Sequence, residues 1–292
     1  MAKHSLKPRS AYARRCIVLT TKHAKSIAIA SPLFDKLKAS VLEYVVDTDQ
    51  LGTFSGEVER SGNALECARK KCEWSLDQLG DNVKYALASE GSFGPHPFIP
   101  FLSCDHEILY FIDRKHDFHL HLSHVSEKTN YRKESIDSME GLLKFAKAAQ
   151  FPSHALILRP NDRETKTFIF KGVNSQQELE ESFEECMKQA ANGRIWVETD
   201  MRAQFNPSRM AVIKELAENF ADRLASHCPA CETPGWGKVR AESGMPCKWC
   251  KSETKIINHE IFGCAKCSYK ETHKPAHGLR YADPENCEFC NP

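Results

Sequence analysis

Four Cys-x-x-Cys pairs near the C-terminus are the strongest chemical signal in this chain of 292 residues, which contains 13 cysteines. Two thiolates separated by two residues can bind one zinc ion at about 2.3 Å, and two such pairs complete a tetrahedron. Clustered thiolates are typical of metal sites, whereas disulfides do not persist in a reducing compartment. The pattern predicts two zinc ions, held by Cys228, Cys231, Cys247, Cys250, Cys264, Cys267, Cys287 and Cys290.

The spacing of the pairs does not decide which pairs share an ion. The gaps between successive pairs are 15, 13 and 19 residues, which allow sequential, nested and interleaved pairing. Residues 247–270 follow the order pair, strand, strand, pair, which is one complete ribbon. We therefore expect nested pairing, in which the second and third pairs share one ion and the first and fourth share the other.

Residues 227–292 are predicted to be a double zinc ribbon in which the zinc is structural. The segment has too few apolar side chains to form a core, and closed four-cysteine sites normally stabilise such modules. The ribbons could also bind nucleic acid, because bases stack on exposed aromatic rings. A solvated surface without a partner is the alternative. The candidate contact residues are Trp236, Lys238, Arg240, Trp249, Lys251, Lys270, Lys274 and Arg280.

Charged side chains also follow β-type runs in the first part of the chain. Glu90 closely follows the run 84–88, and Arg202 closely follows the run 194–198. Sheets of α/β proteins place their sites at the carboxyl ends of strands, and adjacent parallel strands bring such loops together. We therefore expect Glu90 and Arg202 to lie in one anion-handling site.

Three motifs in residues 16–113 carry a resemblance to a known superfamily. They are TTKHAK at 20–25 after a strand, ECARKK at 66–71 on a helix, and EGS at 90–92 after another strand. Their order resembles the inosine-triphosphate pyrophosphatase and Maf-like superfamily, whose members carry TxNxxK, TFxENAxxKA and DSG motifs. The chain departs from those motifs at Lys22, Cys67 and Glu90.

The resemblance implies a Mg²⁺-dependent nucleotide pyrophosphatase-like hydrolase. Splitting a triphosphate requires carboxylates that bind Mg²⁺, cations that neutralise phosphate, and a base that orients water. By this resemblance the catalytic side chains would be Glu66, Glu90 and Asp200. The side chains that bind the nucleotide or another phosphate ligand would be Lys25, Lys71, His96, Arg202 and Arg209.

The whole chain more closely resembles an uncharacterised bacterial family that is known only as a domain of unknown function. This resemblance is carried by residues 198–202, residues 206–210 and the cysteine-rich tail. It implies no activity.

Most of the predicted site residues have a structural alternative. Glu66 and Lys71 also fit a solvated helix face, and the charged residues around 200–209 fit a salt-bridge network that caps the last helix. His119 and His121 share a strand face and are expected to be surface residues. Two competing functions stay open: an adaptor that binds nucleic acid or protein through the zinc ribbons, and an enzyme that acts on RNA.

The predicted strands and helices alternate along the chain, and these elements must position the site residues. This alternation predicts an α/β domain over residues 16–226, with a mixed sheet flanked by helices. The predicted loop 89–97 is rich in glycine and proline. The predicted strands are 16–21, 40–46, 84–88, 107–113, 118–125, 154–159, 165–170 and 194–198. The predicted helices are 23–37, 63–79, 138–149, 175–191 and 207–226.

Composition and charge bear on whether the protein binds nucleic acid or a membrane. The formal net charge is +1, so no global field attracts the protein to nucleic acid, although residues 1–15 are basic and are predicted to form a flexible tail. No apolar run approaches the roughly 20 residues that cross a bilayer, and the first residues do not resemble a signal peptide. We expect a cytoplasmic protein without membrane contact.

Overall fold

A mixed five-stranded sheet forms the first layer of the protein, as the alternating pattern predicts. The computed structural model describes residues 10–53 and 56–292. The strand order is β2-β1-β3-β4-β5, in which β1 is parallel to β2 and β3, whereas β4 and β5 are antiparallel to their neighbours. The strands are β1 (Cys16–Thr20), β2 (Ser40–Tyr44), β3 (Tyr85–Pro95), β4 (Ser103–Asp113) and β5 (Phe118–Ser126).

Two helices pack on opposite faces of this sheet. Helix α1 (Ser26–Leu37) covers the face that carries Leu19 and Leu87, while helix α2 (Ala64–Leu79) covers the face that carries Ala88. The faces alternate because successive side chains of a strand point to opposite sides. The N-terminus of α2 is fixed by a capping box between Asn63 and Glu66.

A second sheet follows in the chain, and all of its strand pairs are antiparallel. Its order is β6-β9-β7-β8, and two helices bury Leu142, Leu158 and Leu179 in a separate core. The elements are β6 (Lys133–Ile136), α3 (Met139–Ala148), β7 (Leu156–Pro160), β8 (Phe170–Val173), α4 (Gln176–Gln189) and β9 (Ile195–Thr199).

Helix α5 (Pro207–Ala225) connects the two sheets. It follows β9 in the chain but packs against α1, β4 and β5, with Ile213 and Phe220 in the core of the first sheet. Asn206 caps the helix and Pro207 occupies its first turn, where a missing N–H costs nothing. The chain between β9 and α5 is therefore held at the junction of the two sheets.

Several sequence-based predictions need correction. The predicted loop 89–97 is wrong, because β3 continues to Pro95 and pairs with β4 along its whole length. The predicted strand 165–170 lies at 170–173 instead, and strand β6 was not predicted. Strands 84–88 and 194–198 are not parallel neighbours, because they belong to different sheets.

The C-terminal module follows helix α5, which ends at Ala225. Its antiparallel sheet consists of β10 (Gly237–Ser243), β11 (Ile257–Gly263) and β12 (Lys270–His273). One end of the module packs on the first sheet, where Ala265 contacts the core and Lys266 Nζ donates to the His116 carbonyl at 2.6 Å.

The predicted flexible tail 1–15 is corrected at its C-terminal end. Tyr12 is fully buried, and its hydroxyl donates to Asp113 Oδ2 at 2.9 Å. This aromatic side chain packs edge-on against Tyr85 and Phe111, so the segment is part of the core. Residues 1–9 lie outside the described residues.

Candidate functional site

A cavity of about 50 Å³ lies between the two sheets, just beyond the point where β1 ends. Lys71 and Glu90 reach it from α2 and β3 of the first layer, while Arg202 reaches it from the segment that follows β9. Three predicted site residues are thus brought together. The charged or titratable side chains in its lining are His23, Asp49, Lys71, Glu90, Lys171 and Arg202.

Glu90 is the buried carboxylate of this cavity. It forms an ion pair with Lys71, and Arg60 Nη2 lies 3.7 Å from its Oε2. Burial opposes ionisation, but attraction to Lys71 and Lys25 outweighs it and lowers the pKa of Glu90. Glu90 is therefore ionised at neutral pH.

Lys25 lies beside this ion pair, immediately before α1. Its Nζ donates to the Ser89 carbonyl at 2.9 Å and to Ser89 Oγ at 3.2 Å, and the residue is buried. Burial, followed by repulsion from Arg209, lowers the pKa of Lys25 to about 7. Lys25 can therefore gain or lose its charge near neutral pH, and an added anion would favour the charged form.

Asp200 orients Arg202 rather than lining the cavity. The Arg202 guanidinium donates to both Asp200 oxygens, from Nε at 3.0 and 3.1 Å and from Nη2 at 2.5 Å. It also lies over the Phe205 ring at 4.5 Å. Because Asp200 is fully buried, this bidentate pair fixes the guanidinium in one position at the cavity wall.

Arg209, a predicted phosphate-binding residue, does not line the cavity but lies in a buried charge network whose carboxylates were not predicted. Its Nε donates to Glu107 Oε1 at 2.6 Å, and neither side chain is exposed. Asp105 is buried beside Glu107, and burial together with the charge of Glu107 raises the pKa of Asp105 to about 8. The sequence does carry a signal for this burial. Asp105, Glu107 and Leu109 occupy alternate positions of β4, so their side chains share one buried face of the strand.

Two further predicted site residues lie away from the cavity and from the charged groups around it. Glu66 is exposed at the N-terminus of α2, where its Oε2 accepts from the Asn63 amide at 3.1 Å. His96 lies in the turn after β3, and its Nδ1 accepts from the Phe98 amide at 3.2 Å. Both contacts are local, so nothing in the geometry brings these side chains to the other predicted residues.

A larger cleft of about 240 Å³ adjoins the small cavity. The two share the residues Gly52, Thr53 and Ile157 in their lining, so they lie side by side between the sheets. The cleft is lined by both polar and aromatic side chains, which include Arg60, Ser92, Phe93, Tyr131, Arg163 and Glu198.

The cysteine pairs combine in an interleaved order, so the predicted nested pairing is wrong. One cluster consists of Cys228, Cys231, Cys264 and Cys267, and the other consists of Cys247, Cys250, Cys287 and Cys290. The reason is that Gly237 of β10 lies opposite Gly263 of β11, which brings the first and third pairs to the same end of the hairpin. Strand β12 then returns the chain to the second pair at the other end.

The sulfur positions fit zinc. Sγ–Sγ distances between the paired motifs are 3.6 and 3.8 Å in the first cluster and 3.5 and 3.9 Å in the second. A tetrahedron with zinc–sulfur bonds of about 2.3 Å has edges of about 3.8 Å. Glu232 and Lys251, which follow the second cysteine of the first two pairs, both have positive φ angles that turn the chain around the sulfurs. Each cluster can hold one zinc ion.

The fold and the site define a two-sheet α/β protein with a C-terminal module that carries two tetracysteine clusters. Residues 71–292 match the model of a family described as a domain of unknown function, DUF6671, and the chain belongs to this family. The predicted membership of a family of unknown function is thus confirmed. No curated protein and no solved structure matches the chain. None of the described helices is long and apolar enough to span a membrane.

Proposed function

We propose that this protein is a Mg²⁺-dependent hydrolase that cleaves a nucleoside triphosphate to a monophosphate and pyrophosphate. The observation that carries the proposal is the shared cavity of Lys71, Glu90 and Arg202, with Lys25 beside it. A polyphosphate needs several cations close together, and a metal ion needs an ionised carboxylate next to them.

The cations differ in how they would contact phosphate. Arg202 offers a planar guanidinium that Asp200 and Phe205 hold in place, which suits directional binding of phosphate oxygens. Lys71 and Lys25 offer compact ammonium groups, and both are buried. A phosphate group would displace water from around these ammonium groups, so its electrostatic attraction to them would be stronger than at an exposed surface.

Glu90 would hold the Mg²⁺ ion. This ion usually takes only one or two protein carboxylates and completes its shell with water and phosphate oxygens, so a single buried carboxylate beside a phosphate site fits it. When bound, the ion would neutralise charge on the phosphate oxygens. Asp200 is less suited, because Arg202 already binds both of its oxygens.

The adjoining cleft would accommodate the nucleoside. It lies next to the small cavity, and Tyr131, Arg163 and Glu198 supply a ring, a donor and an acceptor. The resemblance of residues 16–113 to the inosine-triphosphate pyrophosphatase and Maf-like superfamily supports the same reaction and implies the same fold. Under this proposal Glu66 and His96 take no part in substrate binding.

The reaction can be tested by incubating the purified full chain with each common and deaminated nucleoside triphosphate in the presence of Mg²⁺. Release of pyrophosphate and the monophosphate is expected for at least one substrate. Lys71→Met should abolish this release, whereas Lys70→Met on the exposed side of α2 should not. Release of inorganic phosphate alone, or no product from any substrate, would contradict the proposal.

The two zinc ions would be structural. Each cluster already offers four thiolates, so no position is left for substrate. The first cluster would also anchor the module to the first sheet, through Ala265 and Lys266.

A second candidate function is binding of single-stranded nucleic acid by the second cluster. Its two pairs carry Trp249 and Phe289, whose exposed fractions are 70% and 76%. Rings of this kind stack on bases. Trp249→Ala with Phe289→Ala should weaken binding of a labelled oligonucleotide, and unchanged binding or none by the wild type would contradict this function.

A further inference from the structure

His23 lines the cavity, although it corresponds to none of the predicted site residues. Its side chain is only 13% exposed, and its Nε2 lies 3.6 Å from Asp49 Oδ1. Its Nδ1 is buried and has no hydrogen-bond partner among the described residues. One ring nitrogen is thus directed at a carboxylate, while the other is a buried polar atom that lacks the hydrogen bond a bound water molecule would supply.

Asp49 is itself held in place. Its Oδ2 accepts from Lys22 Nζ at 2.6 Å, which leaves Oδ1 directed at the ring of His23. A carboxylate beside Nε2 favours the tautomer that carries its proton there, so Nδ1 keeps its lone pair. The same arrangement orients catalytic histidines that accept protons.

We propose that His23, oriented by Asp49, accepts the proton of the water molecule that attacks the phosphate. This inference rests on the proposed function. The predicted carboxylates are less suited to accept this proton, because Glu90 is paired with Lys71 and both oxygens of Asp200 are bound by Arg202.

The water oxygen forms a bond to the α-phosphorus while the bond from that phosphorus to the α,β-bridging oxygen breaks. Pyrophosphate leaves with the electron pair of the broken bond, and the water proton moves to Nδ1 of His23. The imidazolium formed is stabilised by Asp49 and then loses the proton to solvent.

The charges around His23 support this role. Burial, followed by repulsion from Lys25, lowers the pKa of His23 to about 4, with smaller contributions from Arg209 and Arg202, while Asp49 raises it. The ring is therefore neutral at pH 7 and can accept a proton. A bound polyphosphate would oppose the repulsion by the cations, so it should raise this pKa toward the operating pH.

The first experiment compares His23→Gln with His124→Gln. His124 is a matched control, because its Nε2 also lies 3.6 Å from a carboxylate, that of Glu215, but it lies on β5 and does not line the cavity. Loss of a general base should lower kcat by about 100-fold or more with little change in KM. His124→Gln should retain wild-type kcat.

The second experiment follows the His23 ring by NMR as a function of pH, with and without inorganic pyrophosphate and Mg²⁺. Pyrophosphate should raise the pKa of His23, and Asp49→Asn should lower it. Retention of wild-type kcat by His23→Gln, or a His23 pKa that does not respond to pyrophosphate, would overturn the inference. Wild-type kcat in His23→Gln would leave the proposed function intact. A wild-type protein that cleaves no triphosphate would instead refute the proposed function, and the proton-transfer role would fail with it.

Discussion

Glu90 and Arg202 line the same cavity although they are positioned by different sheets. Glu90 lies within β3 of the five-stranded sheet, and Arg202 follows β9 of the four-stranded sheet. The segment that contains Arg202 is held at the junction because α5, which follows it, packs on the first sheet. A buried carboxylate and an oriented guanidinium therefore face one small space.

Arg202 should have separable effects on stability and on activity. Arg202→Ala leaves the fully buried Asp200 without its cation, which should cost about 3–5 kcal/mol of unfolding free energy. Adding Asp200→Asn removes the unpaired charge, so part of the stability should return while hydrolysis should not. Urea unfolding and pyrophosphate release measure the two effects. Recovery of activity in the double variant would show that the guanidinium does not contact phosphate.

Asp105 should make the fold less stable as the pH rises. Its pKa is about 8 in the folded protein, next to Glu107, Arg209 and Lys25, but about 3.9 in an unfolded chain. The folded state therefore binds more protons between these values, and this contribution to stability is lost as pH increases from about 4 to 8. Asp105→Asn should raise stability relative to wild type more at pH 8 than at pH 5. If urea unfolding showed the same change in unfolding free energy for Asp105→Asn at pH 5 and pH 8, the raised pKa of Asp105 would be contradicted.

The interleaved clusters predict the zinc content of two double variants. Cys228→Ser with Cys264→Ser removes two ligands from one cluster, so one zinc ion per chain should remain. Cys228→Ser with Cys287→Ser damages both clusters, so less than one ion should remain. Elemental analysis after gel filtration distinguishes these results. Nested pairing would give the opposite result, with one zinc ion left in the second double variant and less than one in the first.

Local sequence patterns predicted much of the fold. Helices α1 to α5 lie close to their predicted positions because their apolar periodicity and caps, such as Asn63 and Ser175, are local signals. The extension of β3 to Pro95 was missed, because its pairing with β4 outweighs the turn preference of glycine and proline. The split into two sheets was also missed, since strand pairing depends on contacts distant in sequence.

The site was predictable only in part. Glu90 and Arg202 were identified by their positions after strands, whereas the resemblance alone suggested Lys71, which lines the cavity, and Glu66, which instead caps α2. His23 was overlooked because it occupies a variable position of its motif, and its partner Asp49 follows 26 residues later in a separate loop. Such pairings are set by the packing of loops and leave no local pattern.

Pyrophosphate release by Glu90→Gln, measured together with the thermal unfolding of this variant, tests whether Glu90 holds the metal ion of the reaction. Gln keeps the size of the side chain but cannot hold Mg²⁺ as a carboxylate does, so Mg²⁺-dependent cleavage should fall by about 100-fold or more. Glu73→Gln, an exposed change on α2, should leave cleavage unchanged. We expect the folded state of Glu90→Gln to persist at the assay temperature. A folded Glu90→Gln protein that cleaves triphosphate as fast as wild type would contradict the account.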